Sequence, residues 1–323
     1  MFQGRAALFD RLSGVFDNAL IDRRSTVAPI DWYRAPHGWQ ERTDLYVSAT
    51  EKMFEEAAIK ALANAGLAAR DIDGIVFVST TGISTPSIDA RVAPRLGFRP
   101  DIRRVPMFGL GCAGGVTGLA TAARLAAAEP GSNWLFVCVE TCSISIRLDS
   151  DDPAAIVATA LFGDGAAAAV VSTPKNPDDS EGLATVRGAG EKLWPDTLGI
   201  MGWRVEDPGL AVIFDRAIPP FVEAELAVAI DTILADLNLT RDQIDRFCCH
   251  PGGTKVIDAI ETALDLPRET LDLERQVLRD QGNMSAPTVM FVLDALIARV
   301  LPKRVMMTAF GPGFTCAGMV IER

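Results

Sequence analysis

Three residues carry groups suited to acyl-transfer chemistry: Cys112, His250 and Asn283. Cys112 sits in "GLGCAGG", just ahead of a long Ala-rich helical pattern. A thiol attacks as its thiolate, and a helix N-terminus is expected to lower the thiol pKa through its dipole and free N–H groups. His250 closes "RFCCH" before Pro-Gly-Gly and is one of only two histidines. A histidine within reach takes the thiol proton and remains as imidazolium. Gly111, Gly114 and Gly115 are expected to form a tight elbow and let substrate come close. Taken singly, each residue has a plainer reading, as a core cysteine or a structural histidine. Their place in an internal repeat sets them apart.

The elements that must position them recur along the chain. "ATEKMFEEAAIKALANAGL", residues 49–67, has helical apolar spacing, and Gly74–Ser79 reads as a buried strand. Ile72 and Asp73 return as Ile244 and Asp245, and Leu62 and Leu67 as Leu234 and Leu239, each 172 residues on. Cys112 opens one predicted helix and Asn283 another, 171 residues later. "NWLFVCVE" finds a counterpart in "KRVMMTAFG", and "GDGAAAAVVS" in "FTCAGMVIER". The pattern predicts a duplicated helix–strand–helix–strand–strand unit, with helices buried between two sheets. The divider is placed in "STPKNPDDSEG", giving an N-terminal half over 1–178 and a C-terminal half over 179–323.

Composition narrows the function. With 323 residues and 49% hydrophobic content, a sizeable core is expected. No stretch reaches the about 18 uncharged apolar residues of a membrane span, and "MFQGRAALFDRLSG" lacks the apolar run of a secretory signal. A formal net charge of −11 argues against a nucleic-acid binder. The six cysteines fit neither a zinc site nor a disulfide scaffold, so a reducing cytoplasmic setting is expected, without a metal.

The segments "GCAGG", "ALFGDGAAA", "HPGGTKVIDAIE", "GNMSAPTV" and "FGPG" together resemble the type III polyketide synthases, the chalcone-synthase-like branch of the thiolase superfamily. The resemblance runs from about residue 20 to the C-terminus. It implies an α/β fold of thiolase type, layered αβαβα, and a homodimer acting on acyl-CoA and malonyl-CoA without a cofactor. Cys112 then resembles the nucleophile that holds the starter as a thioester, and His250 and Asn283 the pair that activates it and binds the carbonyl oxygen. Decarboxylation of malonyl-CoA supplies the carbanion, and a histidine N–H and an asparagine NH₂ stabilise the enolate oxygen. Phe162 in "ALFGDG" resembles the gatekeeper between access tunnel and cavity. Ser145 and Ser285 match small polar cavity positions, and Gly202 a glycine that leaves room for the growing chain. Thr85 matches a residue that crosses into the partner's cavity, and Gly311 and Pro312 belong to the loop shaping the cyclisation floor.

The match has gaps. Of the basic residues expected to hold CoA, Arg11, Arg23 and Arg24 remain, but Gly14 and Asn18 stand at two such positions; Lys255 is a further candidate. Val212 stands where plant-like members carry a second gatekeeper phenylalanine, beside a pattern closer to bacterial alkylpyrone and alkylresorcinol synthases. Medium- to long-chain acyl starters are therefore expected, although Trp203 could fill the space that Val212 opens. Two alternatives stay open at this point. A ketoacyl-ACP synthase III-like enzyme shares the Cys-His-Asn set but carries "HQAN" in place of "HPGG", and a non-catalytic thiolase-fold subunit would need no such set. His37 has no matched role and is expected to be structural.

Overall fold

Strand β1, Gly74–Val78, is buried at all five positions, as a strand covered on both faces must be. The computed structural model describes residues 13–148, 150, 152–174 and 182–323. The proposed divider at 178 lies outside the described residues. Nine helices and ten strands are described: α1 Gly14–Ala19, α2 Trp39–Ala65, β1, α3 Ile88–Leu96, β2 Arg103–Met107, α4 Gly114–Ala128, β3 Asn133–Thr141, α5 Pro153–Leu161, β4 Asp164–Ser172, β5 Thr185–Leu193, β6 Met201–Glu206, β7 Gly209–Phe214, α6 Ile218–Asp236, β8 Arg246–Cys249, α7 Thr254–Ala263, α8 Asp272–Gln281, α9 Ala286–Arg299, β9 Arg304–Gly311 and β10 Thr315–Glu322.

Two four-stranded sheets are built in the orders β2-β1-β3-β4 and β5-β10-β9-β8, and β6 and β7 form a separate hairpin. In the first sheet β1 pairs parallel with β2 and β3, and β3 antiparallel with β4. In the second, β8 pairs parallel with β9, which runs antiparallel to β10. The repeat thus matches β1, β3 and β4 with β8, β9 and β10, and α4 with α9. Helices α4 and α9 lie side by side between the sheets, α2 covers the outer face of the first sheet, and α6 that of the second. This is the αβαβα layering of the thiolase fold. The central core joins both halves, with Val76, Val116 and Phe136 meeting Val289, Val305 and Met307.

Three details differ from the sequence expectation. Helix α2 begins at Trp39, ten residues earlier than residue 49, because its first turns bury Arg42 and Tyr46 where no apolar period marks them. Cys112 lies in a 3₁₀ turn, Gly111–Ala113, directly before α4, and Asn283 lies three residues before α9. Gly114 and Gly115 serve packing more than substrate access. A Cβ on Gly115 would stand 2.3 Å from the Ala286 carbonyl, and one on Gly114 2.6 Å from Val78. Their missing side chains bring the starts of α4 and α9 into contact.

Candidate active site

Because those two helix starts touch, the residues just upstream of each face one another. Cys112 Sγ lies 4.0 Å from Asn283 Oδ1, which also accepts the Ser285 N–H at 2.8 Å. Asn283 Nδ2 donates to the Gly252 carbonyl at 3.1 Å, in the loop that follows His250. The amide therefore spans from the sulfur to the histidine loop, and its second Nδ2 hydrogen has no protein acceptor among the described residues. His250 follows β8 directly, its N–H bonded to the Thr308 carbonyl at 2.8 Å. Cys112, His250 and Asn283 are all buried, at 6%, 3% and 1% exposure.

Burial works against the charged forms of the thiol and the imidazole. Burial, first, pushes the Cys112 thiol up to about 12; side-chain hydrogen bonding with Ser285 and Asn283 opposes this and the nearby Glu140 carboxylate adds to it. Burial also lowers His250 to about 3. Loss of hydration in a dry site opposes any help from the helix start. Burial thus disfavours the charged form of each group. Both His250 ring nitrogens are buried without a hydrogen-bond partner among the described residues. A neutral imidazole there offers one N–H donor and one acceptor to an incoming group.

Glu140 is the residue that the sequence reading missed. It ends the apolar strand β3, is fully buried, and accepts the Thr80 N–H at 2.9 Å and the Thr81 hydroxyl at 2.8 Å. Thr80 Oγ1 in turn accepts the Gly111 N–H at 3.1 Å, so the elbow under Cys112 hangs from this network. Burial raises the Glu140 carboxyl to about 7 against those hydrogen bonds. The available signal was one acid at the end of a strand that is otherwise apolar from Trp134 to Val139.

A cavity of about 180 Å³ has Cys142, Ser145, Phe162 and Val212 in its wall and Arg147 and Glu206 at its polar side, and none of Cys112, His250 and Asn283 lines it. Phe162 links the two regions. It forms a parallel bridge with Asn283: Asn283 N–H donates to the Leu161 carbonyl at 2.9 Å, and Gly163 N–H to the Asn283 carbonyl at 3.0 Å. The Trp203 ring lies 6.4 Å from that of Phe162, beside Val212, its register partner on β7. Gly111, at φ +49°, takes the left-handed conformation that glycine tolerates best, and a Cβ there would meet Pro312 at 2.7 Å. Gly202 also faces Pro312, at 4.0 Å from its would-be Cβ, and Gly311 packs on the Leu110 carbonyl. The turn after β9 therefore forms a floor under the cysteine elbow.

Other sequence candidates lie apart. Thr85 and Lys255 are exposed, and Arg23 is exposed beside Asp280 at 3.8 Å. Arg11 lies outside the described residues. Arg24 is half-buried and donates to the Phe162 carbonyl at 2.9 Å and to that of Thr159. His37 stacks on Trp32 at 4.0 Å and bonds its carbonyl at 2.7 Å, a structural setting. All six cysteines are free and buried. Among the described residues no cluster of His, Cys, Asp or Glu could hold a metal ion, and no helix is long and apolar enough to cross a membrane.

Comparison with known proteins adds a family to this geometry. Residues 31–175 match the N-terminal domain of the chalcone and stilbene synthases, and residues 185–323 their C-terminal domain. The chain is 37% identical over 319 residues to 1,3,6,8-tetrahydroxynaphthalene synthase of Streptomyces peucetius subsp. caesius, covering 95% of this chain and 84% of that protein. The solved 1,3,6,8-tetrahydroxynaphthalene synthase of Streptomyces coelicolor A3(2), a bacterial type III polyketide synthase, superposes with a TM-score of 0.91 at 26% identity, over 97% of this chain and 89% of that one. The C-terminal type III polyketide synthase domain of Steely1 from Dictyostelium gives 0.91 at 27% identity, over 99% and 91%.

Proposed function

Since the chain belongs to the chalcone and stilbene synthase family, the type III polyketide synthases, we propose that Cys112 carries the acyl chain while His250 and Asn283 bind the oxygen that becomes negative. The observation that carries this reading is the 4.0 Å approach of Cys112 Sγ to Asn283, whose amide also reaches the His250 loop. The thiol proton passes to His250 as sulfur attacks the starter thioester, and CoA leaves as its thiol. Malonyl-CoA then loses CO₂, and its enolate oxygen rests on the His250 N–H and the free Asn283 N–H. The carbanion attacks the acyl carbonyl on Cys112, returning the sulfur. Phe162 walls the reacting carbons from water and from the malonyl carboxylate. A homodimer would bring the exposed Thr85 loop to a second protomer, and Arg23 and Lys255 are the outward cations left for CoA phosphates.

The starter follows from the cavity. Val212 opens its wall, which favours medium- to long-chain acyl groups and alkylpyrone or alkylresorcinol products. Each methylene buried there contributes roughly 0.8 kcal/mol. A second reading is favoured by the small volume and by Arg147, Arg204 and Glu206 around it: a short polar starter such as malonyl-CoA itself, giving a hydroxylated aromatic product. Incubation with malonyl-CoA and a ladder of acyl-CoAs, with products weighed and kcat/KM read for each starter, decides between them. The long-chain reading expects kcat/KM to climb with chain length and Val212→Phe to move its maximum to shorter chains. A flat ladder, or product from malonyl-CoA alone at undiminished rate, sinks it.

A further inference from the structure

Arg24 and Asp164 occupy the junction between the gate and the centre, and neither takes part in the chemistry above. Asp164 is buried. Its Oδ1 accepts the Ser143 N–H at 2.7 Å, and its Oδ2 accepts the Val27 N–H at 2.7 Å and the Ser143 hydroxyl. Its own N–H donates to the Ser25 carbonyl at 2.9 Å. Ser143 belongs to the 3₁₀ turn Cys142–Ser145, whose ends line the cavity. One carboxylate thus ties the segment before α2 to the cavity wall.

Arg24 lies in the same segment, next to Ser25. Its Nη1 donates to the carbonyls of Thr159 and Phe162, at the C-terminal end of α5. Those groups have no partner within the helix, and a cation suits that end of the helix dipole. Its aliphatic stem fills the space left by two glycines. A Cβ on Gly282 would lie 2.7 Å from Arg24 Cγ, and one on Gly163 3.2 Å from Arg24 Cβ. Gly282 immediately precedes Asn283, and Gly163 immediately follows Phe162. The main chain is therefore held at every point of the bridge: Leu161 and Gly163 by Asn283, and Phe162 by Arg24.

We propose that Arg24, braced by Asp164, is a positioning residue that sets the gate ring of Phe162 and the amide of Asn283 as one unit through the carbonyl of Phe162. This rests on the synthase reading. Arg24 touches no reacting atom. Its removal frees the Phe162 carbonyl, lets the bridge twist, and moves both side chains together. A lysine keeps the charge, but its ammonium ends one bond short of the place where Nη1 reaches both carbonyls.

The test compares wild type, Arg24→Lys and Asp164→Asn by three readouts. The first is the kcat and KM of malonyl-CoA decarboxylation. Arg24→Lys should lower kcat by about 10- to 100-fold, the cost of a displaced catalytic group, and leave KM within about threefold. The second is product partition, which should shift toward prematurely hydrolysed chains. That shift should vanish when Arg24→Lys is combined with Phe162→Ala, because the gate through which it acts is gone. The third needs no turnover: the rate of iodoacetamide alkylation of Cys112, read by peptide mapping, should rise several-fold. Asp164→Asn should repeat these changes in weaker form. An unchanged kcat with a raised, salt-sensitive KM would make Arg24 a CoA contact and overturn the proposal. So would alkylation at the wild-type rate, or a partition shift that persists without the Phe162 ring. A wild type that never decarboxylates malonyl-CoA defeats the synthase reading instead, and the alkylation readout still judges Arg24.

Discussion

In the N-terminal half the outer edge of β1 is completed by a strand, β2. In the C-terminal half the matching edge of β8 meets a side chain. Glu274 from α8 accepts the Cys249 N–H at 3.0 Å and binds Arg246 at 2.6 Å. The opposite edges are reversed, since β5 flanks β10 while β4 ends its sheet among the described residues. The duplicated frame thus tolerates different ways of satisfying an edge, provided that the central strands and the two inner helices are kept. The groups proposed to be catalytic sit at those kept places. The N-terminal copy presents sulfur from a glycine elbow, and the C-terminal copy presents the amide of Asn283 and, past the carboxylate-held edge, the imidazole of His250. The proposed function thereby assigns covalent capture to one half and charge stabilisation to the other.

The strongest way to break this division is to disarm each half in turn. Cys112→Ala should abolish polyketide formation yet retain malonyl-CoA decarboxylation, since the enolate oxygen rests on the other half. Asn283→Ala should lose decarboxylation by about 10²–10³-fold, the usual effect of removing one oxyanion donor. Release of CO₂ and acetyl-CoA measures both, and equal losses in the two variants would refute the division.

The edge device makes the next largest prediction. Glu274→Ala leaves Arg246 charged and only slightly exposed, and strands the Cys249 N–H. Breaking a buried pair on one side costs about 3–5 kcal/mol. Urea unfolding should show that loss, and a loss under about 1 kcal/mol would class the pair with ordinary surface bridges.

Glu140 sharpens the comparison through pH. Its folded pKa, about 7, lies above its ordinary 4.5. Its contribution is therefore full below pH 4.5 and is lost as pH rises through 7. The wild type should lose about 3 kcal/mol relative to Glu140→Gln between pH 4.5 and 8. Unfolding free energies of the two proteins across that window measure it; parallel profiles would mean that the carboxyl ionises freely.

The smallest effect concerns the seam between halves. Gly115→Ala places a methyl 2.3 Å from the Ala286 carbonyl and must push α4 from α9. About 1–3 kcal/mol of stability should go, as for other overpacked sites. The rate of acyl loading should fall with it, because Cys112 and Asn283 move apart. Stopped-flow loading beside thermal melting separates the two, and loss of stability alone would show that the seam does not set the site.

Some of this was legible from residue order. Strand β1 was expected over Gly74–Ser79 and is found over Gly74–Val78, since a run of Ile, Val and Phe buried on both faces leaves no other choice. The repeat at 171–172 residues was visible because both copies bury the same strands and inner helices, and burial constrains residue type. The set Cys112, His250 and Asn283 was picked out by its place in that repeat and by family motifs. Tertiary structure alone decided the rest. The start of α2 escaped notice because Arg42, which reaches across to the Ile144 carbonyl, and Tyr46, which donates to Ser79 at 3.0 Å, are polar groups buried through partners far along the chain. The carbonyl contacts of Arg24 escaped notice because its partners are 135 and 138 residues away. The burial that opposes charge on the thiol and the imidazole escaped notice for the same reason. Local sequence encodes the helix dipole, but desolvation is set by everything that closes over the site, and no local spacing records it.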